Sequence, residues 1–123
     1  MNLDSMRPAL RAYLECALWA SVDDDGNPLD NGRDASDFDH GAVFDANTEL
    51  LVFELVCAAD IAETGMSADQ LGHDLWLTRN GHGVGFWDRR YGAAGDRLTD
   101  AAHAMGECNA YIGDDGLAYF ERG

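Results

Sequence analysis

Between residues 3 and 20 the apolar positions Met6, Leu10, Tyr13, Leu14, Ala17 and Leu18 recur at three- and four-residue steps, which builds one stripe of an amphipathic helix. Ser5 is its expected N-cap, and Pro8 falls in the first turn, where a missing N–H costs little. A second helix is expected over about 46–64, ANTELLVFELVCAADIAET, running into Gly65, a residue suited to the position just past a helix end. Its apolar side chains surround the axis instead of forming a stripe. The pattern therefore predicts a helix that is either central to the fold or self-associating, most simply as a homodimer through 46–64. SADQ at 67–70 fits a capping box, Ser67 with Gln70, for a brief helix over about 67–71 limited by Gly72. A further helix is expected over about 97–105, capped by Asp96 and closed by Gly106, with Leu98, Ala101, Ala102 and Met105 inward.

Elsewhere the pattern changes period. HDLWLTR and VGFWD alternate apolar and polar positions as strands do, and NGHG between them carries the Asn-Gly signal of a tight turn, so a hairpin is expected over about 73–88. In that hairpin Leu75, Leu77, Val84 and Phe86 share one face, and Trp76, Thr78, Gly85 and Trp87 share the other. CNAYIGDDGLAYFE predicts a second hairpin over about 108–121 around Asp-Asp-Gly. Helices, hairpin, helix, hairpin in one chain of 123 residues predict a single α+β domain, 1–123, with helices packed on a small, mostly antiparallel sheet.

The stretch SVDDDGNPLDNGRDASDFDHG has turn residues throughout and reads as a loop, with a short helical turn near Ser36. It holds the densest acidity of the chain, Asp23, Asp24, Asp25, Asp30, Asp34, Asp37 and Asp39, opposed by Arg33. Over the whole chain 23 acidic residues face 8 basic ones, all arginine, for a formal charge of −15. Such a field repels nucleic-acid phosphates and anionic membranes, so direct DNA or RNA binding is not expected. It matches the charge of roughly 25 Å of duplex, so the expected partners are basic surfaces, including those that normally hold nucleic acid. The same acidity also fits a GC-rich genome or a salty cytoplasm. The N-terminus lacks the pattern of a secretory signal and no apolar run reaches membrane-spanning length, so a cytoplasmic location, in a host bacterial cell, is expected.

Candidate chemistry is sparse. His73, Asp74, His82 and Asp88 have the residue types of a metal or acid–base site, although His82 beside the predicted turn lies several residues of rise from His73. The alternative reading of the same histidines is hydrogen bonding at the hairpin ends. Cys16, Cys57 and Cys108 are odd in number and outside any CxxC spacing, which points to buried thiols. DDDGNPLDNGRD lacks the sixth-position glycine and twelfth-position glutamate of a calcium loop, and no nucleophile elbow, zinc-protease or P-loop motif occurs. No cofactor is expected. Trp76 and Trp87, flanked by Arg79, Arg89 and Arg90, are either an interface of the kind tryptophan and arginine dominate or simply a face covered by a helix.

The segment GHDLWLTRNGHGVGFWDRRYGAAGDRLTDAAHAMGECNAYIGDDG, about 72–116, with its WLTRNGHGxGFWDR core, resembles small acidic proteins encoded in phages, prophages and plasmid-like regions of GC-rich bacteria. DHGAVFDANTELLVFELVCA departs from the more polar helix of such proteins. The resemblance implies the company of host-defence inhibitors, including anti-restriction and anti-CRISPR proteins that imitate DNA. On that reading the protein is a phage-derived inhibitor blocking a basic nucleic-acid-binding surface of a defence complex, with the seven loop aspartates as charged contacts and Trp76, Trp87 and Arg89 as a second surface. The alternatives are a small metal-dependent hydrolase or nuclease using His73, Asp74, His82 and Asp88, and a structural or regulatory protein whose acidity is compositional.

Overall fold

A computed structural model describes residues 3–81 and 85–122, with every side chain among them except those of Asp4, Trp87 and Asp88. The chain folds as an α+β domain. Its elements are α1 (Pro8–Ala20), α2 (His40–Val56), α3 (Ala58–Thr64), α4 (Ala68–Arg79), α5 (Ala93–Ala104) and one antiparallel hairpin, β1 (Cys108–Ile112) with β2 (Ala118–Arg122). Short 3-10 turns cover Leu3–Ser5, Ala35–Asp37 and Phe86–Arg89. No described helix is long and apolar enough to cross a membrane.

The predicted stripe of α1 is buried along its length, from Met6 through Leu18. The helix starts later than expected, with Pro8 at its first position, and Ser5 belongs to the separate 3-10 turn. The second helix starts earlier, at His40, because the Asp39 carboxylate accepts the Ala42 N–H and caps it there. It breaks at Cys57, and the chain turns so that α3 packs on α5; Gly65 then ends α3 in the left-handed conformation (φ 67°) expected of that position. Helix α5 begins at Ala93, so Asp96 lies within its first turn instead of capping it.

The hairpin expected over 73–88 does not form. Ser67 does cap a helix there, with its hydroxyl accepting the Gln70 N–H, but that helix runs through Gly72 to Arg79. Six consecutive residues, Asp74 to Arg79, are buried, so this half of α4 is apolar or internally paired on all sides and its sequence carries no helical periodicity. Asn80-Gly81 ends the helix instead of turning a hairpin. The Asn80 amide donates to the Trp76 carbonyl (3.0 Å) and its oxygen accepts the Cys108 N–H (2.8 Å), tying the helix end to β1. Trp76 is consequently core: it packs edge-on to Tyr13 (centroids 5.4 Å apart) and against Phe120 of β2 (5.5 Å). Phe86 stacks on Phe53 of α2 (5.8 Å), so the shared faces drawn for a hairpin do not exist.

The second expected hairpin does form, with Cys108 opposite Arg122 and Ile112 opposite Ala118. Cys108 and Ala110 face inward while Asn109 and Tyr111 face out. A parallel bridge between Phe38 and Ala118 attaches the loop before α2 to this ribbon.

The broadest packing is between α1 and α4, and Gly72 sets its closeness. A Cβ on Gly72 would lie 2.0 Å from the Ala9 carbonyl oxygen and 2.9 Å from the Tyr13 nitrogen, both backbone atoms. Gly85 is similarly confined, since a Cβ there would meet the Thr78 hydroxyl at 2.1 Å, the group that accepts the Phe86 N–H. Gly72→Ala therefore destabilises the protein by about 2 kcal/mol or more, although alanine is the better helix former, because α1 and α4 must separate. Urea unfolding measures this, and a variant as stable as the parent would show that the crossing is looser than described.

Candidate functional site

Two regions gather the polar side chains singled out by their chemistry. The first is the acidic loop between α1 and α2. Its backbone is ordered by a bridge between Val22 and Pro28, by Leu29 N–H donating to the Ser21 carbonyl (3.0 Å), and by the buried Leu29 side chain. The Asp23 carboxylate accepts the N–H groups of Asp25 and Asn27, both at 2.9 Å, closing a tight turn. Asp34 and Asp37 form a reciprocal cap on the 3-10 turn: Asp34 accepts from Ser36, and Asp37 accepts the Asp34 N–H at 2.8 Å. Hydrogen bonds from the Ser36 hydroxyl and then its N–H hold the Asp34 carboxyl below its ordinary pKa. Asp39 caps α2.

Four of the seven loop aspartates are thus engaged in local backbone structure. Asp24, Asp25 and Asp30 point outward and are exposed. Exposed acids also occur beyond the loop, among them Asp45 on α2, Glu63 on α3, Asp69 on α4, Asp96 and Asp100 on α5, and Asp114 in the hairpin turn. The negative charge accordingly extends over most of the surface.

The second region is a groove of about 1050 Å³ between α1 and α4, with Trp19, Cys16 and Arg11 on one wall and His73, Gln70 and Arg89 on the other. Beneath it Asp74 is fully buried. Arg89 grips both of its oxygens, Nε to Oδ2 and Nη2 to Oδ1, each at 3.1 Å. His73 Nδ1 lies 3.3 Å from Oδ1, and the Gln70 amide, 3.5 Å from Oδ2, also donates to the Tyr91 hydroxyl at 2.7 Å. Burial, then the Asp74 charge, raises the Tyr91 pKa. A bidentate guanidinium–carboxylate pair of this kind fixes orientation as well as charge. It anchors the 86–89 turn to α4.

His73 and Asp74 come together as neighbours on α4. His82 lies outside the described residues, as do the side chains of Asp88 and Trp87. Among the described residues no three His, Cys, Asp or Glu side chains converge as metal ligands. Arg89 joins Asp74. The Cys16 thiol is pushed up to about 12 by burial and by the Asp74 charge, and burial likewise raises Cys57 and Cys108, so none of the three is poised as a nucleophile.

The residue missed from sequence is Trp19. It stands 60 % exposed at the groove rim with its ring 6.0 Å from that of His73. The signal was present, because Trp19 falls off the apolar stripe of α1, where a large aromatic has no core to fill. Comparison of the chain with family models, with curated proteins and with solved structures gives no match.

Two outcomes follow. Asp74→Asn weakens the Arg89 pair and costs about 1–3 kcal/mol, below the full penalty for a broken buried pair because Arg89 is partly solvated; thermal unfolding measures it, and an unchanged midpoint would mean that the pair does not hold the turn. The Asp34 cap has a folded pKa below its unfolded one, so its contribution is complete above the ordinary aspartate pKa of about 4 and disappears as pH falls through the folded value. Asp34→Asn should flatten that acid limb of stability against pH, and an unaltered limb would remove Asp34 from the loop's support.

Proposed function

We propose that the protein is a non-catalytic acidic binding protein that covers a basic, nucleic-acid-binding surface of another protein, in the manner of a phage-derived inhibitor of a restriction or CRISPR complex. The observation that carries this reading is the ordered loop displaying Asp24, Asp25 and Asp30 outward while Asp23, Asp34, Asp37 and Asp39 hold its backbone. Carboxylates on a backbone already fixed by caps lose little conformational freedom on binding, which is where a mobile acidic tail loses affinity. The net charge of −15 contributes at longer range. It accelerates encounter with a basic face, and its reach is about 8 Å at physiological ionic strength.

The spread of exposed acids over helices and hairpin favours a second reading, in which the charge serves solubility in a structural or regulatory protein. The two differ over the loop. A mimic depends on three particular aspartates, whereas a solvating surface does not.

The test is competition with duplex DNA for a purified restriction or CRISPR effector. The inhibitor reading expects displacement of DNA, with an association rate that falls about tenfold or more between about 50 and 200 mM salt. Combining Asp24→Asn, Asp25→Asn and Asp30→Asn should slow association further than three neutralisations on α5 and the hairpin turn. Absence of displacement across representative effectors, or equal effects from the two sets, decides for the solvating reading.

A further inference from the structure

Helix α2 is arranged contrary to the usual amphipathic order. Two of its three acids turn toward the body of the protein, where Glu54 pairs with Arg7 (3.0 Å) and Glu49 with Arg79 (3.5 Å) and Arg122, and the third, Asp45, is exposed at the edge of the outward side. Its outward side carries Phe44, Leu51, Val52, Leu55 and Val56, five of the eight large exposed hydrophobics among the described residues. Phe44 and Leu55 are 71 % and 79 % exposed. With Thr48 these positions recur at three- and four-residue steps, so they form one continuous strip about 18 Å long.

We propose that this strip is the interface of a homodimer in which two copies of α2 pack antiparallel about a twofold axis. The strip is complementary to itself. At its N-terminal end Phe44 borders an apolar depression of about 380 Å³, lined also by Leu10, Val43, His40 and Asn47. At its C-terminal end Leu55 projects. A twofold axis passing between positions 49 and 50 sets Leu55 of each copy over the depression of the other and Thr48 against Leu51, so both ends are filled by one operation. Covering the five side chains withdraws on the order of 500 Å² of apolar surface per copy at about 100 Å² each. With a polar rim this approaches the roughly 800 Å² per partner of a standard interface. The inward pairing of Glu49 and Glu54 keeps charge off the centre of the contact, which two copies at −15 each require.

This inference shares no residue with the acidic-loop reading. Sedimentation velocity of the full chain over about 1 µM to 1 mM should show a monomer–dimer equilibrium with a dissociation constant on the order of 10 µM. The dimer should tighten as salt rises, because salt screens repulsion between like-charged copies, opposite to the response expected for a basic partner. Leu55→Asp should weaken it about 30-fold or more, while Val22→Asp, at an exposed valine away from α2, should leave it unchanged. Because Leu55 is exposed, circular dichroism should show the variant folded. For register, Phe44→Cys mixed with Leu55→Cys should give a disulfide-linked pair on mild oxidation, the three native thiols being buried. A monomer at every concentration, association that weakens with salt, or a dimer surviving Leu55→Asp would each overturn the proposal and leave the DNA-competition result standing.

Discussion

The fold turns on Arg79, a fully buried guanidinium at the end of α4. Its Nε donates to the Gly106 carbonyl at 2.8 Å and Nη2 to the Met105 carbonyl at 3.2 Å, satisfying acceptors left open where α5 ends. Its Nη1 donates to the Tyr13 hydroxyl of α1 at 3.0 Å and lies 3.5 Å from Glu49 of α2. Burial opposes the charge, but Tyr13, Cys108 and Glu49 together outweigh it, and the pKa of Arg79 is raised. One residue thus holds four helices in register. A lysine could not reproduce this, since a single ammonium cannot reach planar acceptors in four directions.

A second buried charge repeats the device at the other side of α4. Asp74 is held by Arg89 as Arg79 is held by Glu49 and two carbonyls, so the helix carries one buried anion and one buried cation five residues apart, each with a partner from a different element. Breaking either leaves an uncompensated charge in the interior, a strongly unfavourable state. These pairs lock α4 in orientation, which apolar packing on all sides of the helix would not do.

The distribution of charge has consequences at the surface. Because Glu49 and Glu54 serve Arg79, Arg122 and Arg7, the outer side of α2 is left largely apolar, with Asp45 at its edge, in an otherwise acidic molecule. Because Asp34, Asp37 and Asp39 serve as caps, the loop before α2 is ordered and the aspartates without that duty are presented from it. Local backbone requirements thereby decide which acids are available to a partner.

The sequence by itself determined the α+β class, the stripe of α1, the caps at Ser67 and Gly65, and the hairpin around Asp-Asp-Gly, because in each the deciding forces act between residues close along the chain. It also exposed the anomaly of an apolar-all-round second helix. Only tertiary structure decided that 73–79 is helical. A segment enclosed on every side has no solvent-facing period to display, and alternating Leu75, Leu77 and Asn80-Gly81 imitate a hairpin. The Asp74–Arg89 pair, fifteen residues apart, and the approach of Gly72 to Ala9 were equally invisible, since both exist only where non-neighbouring segments meet.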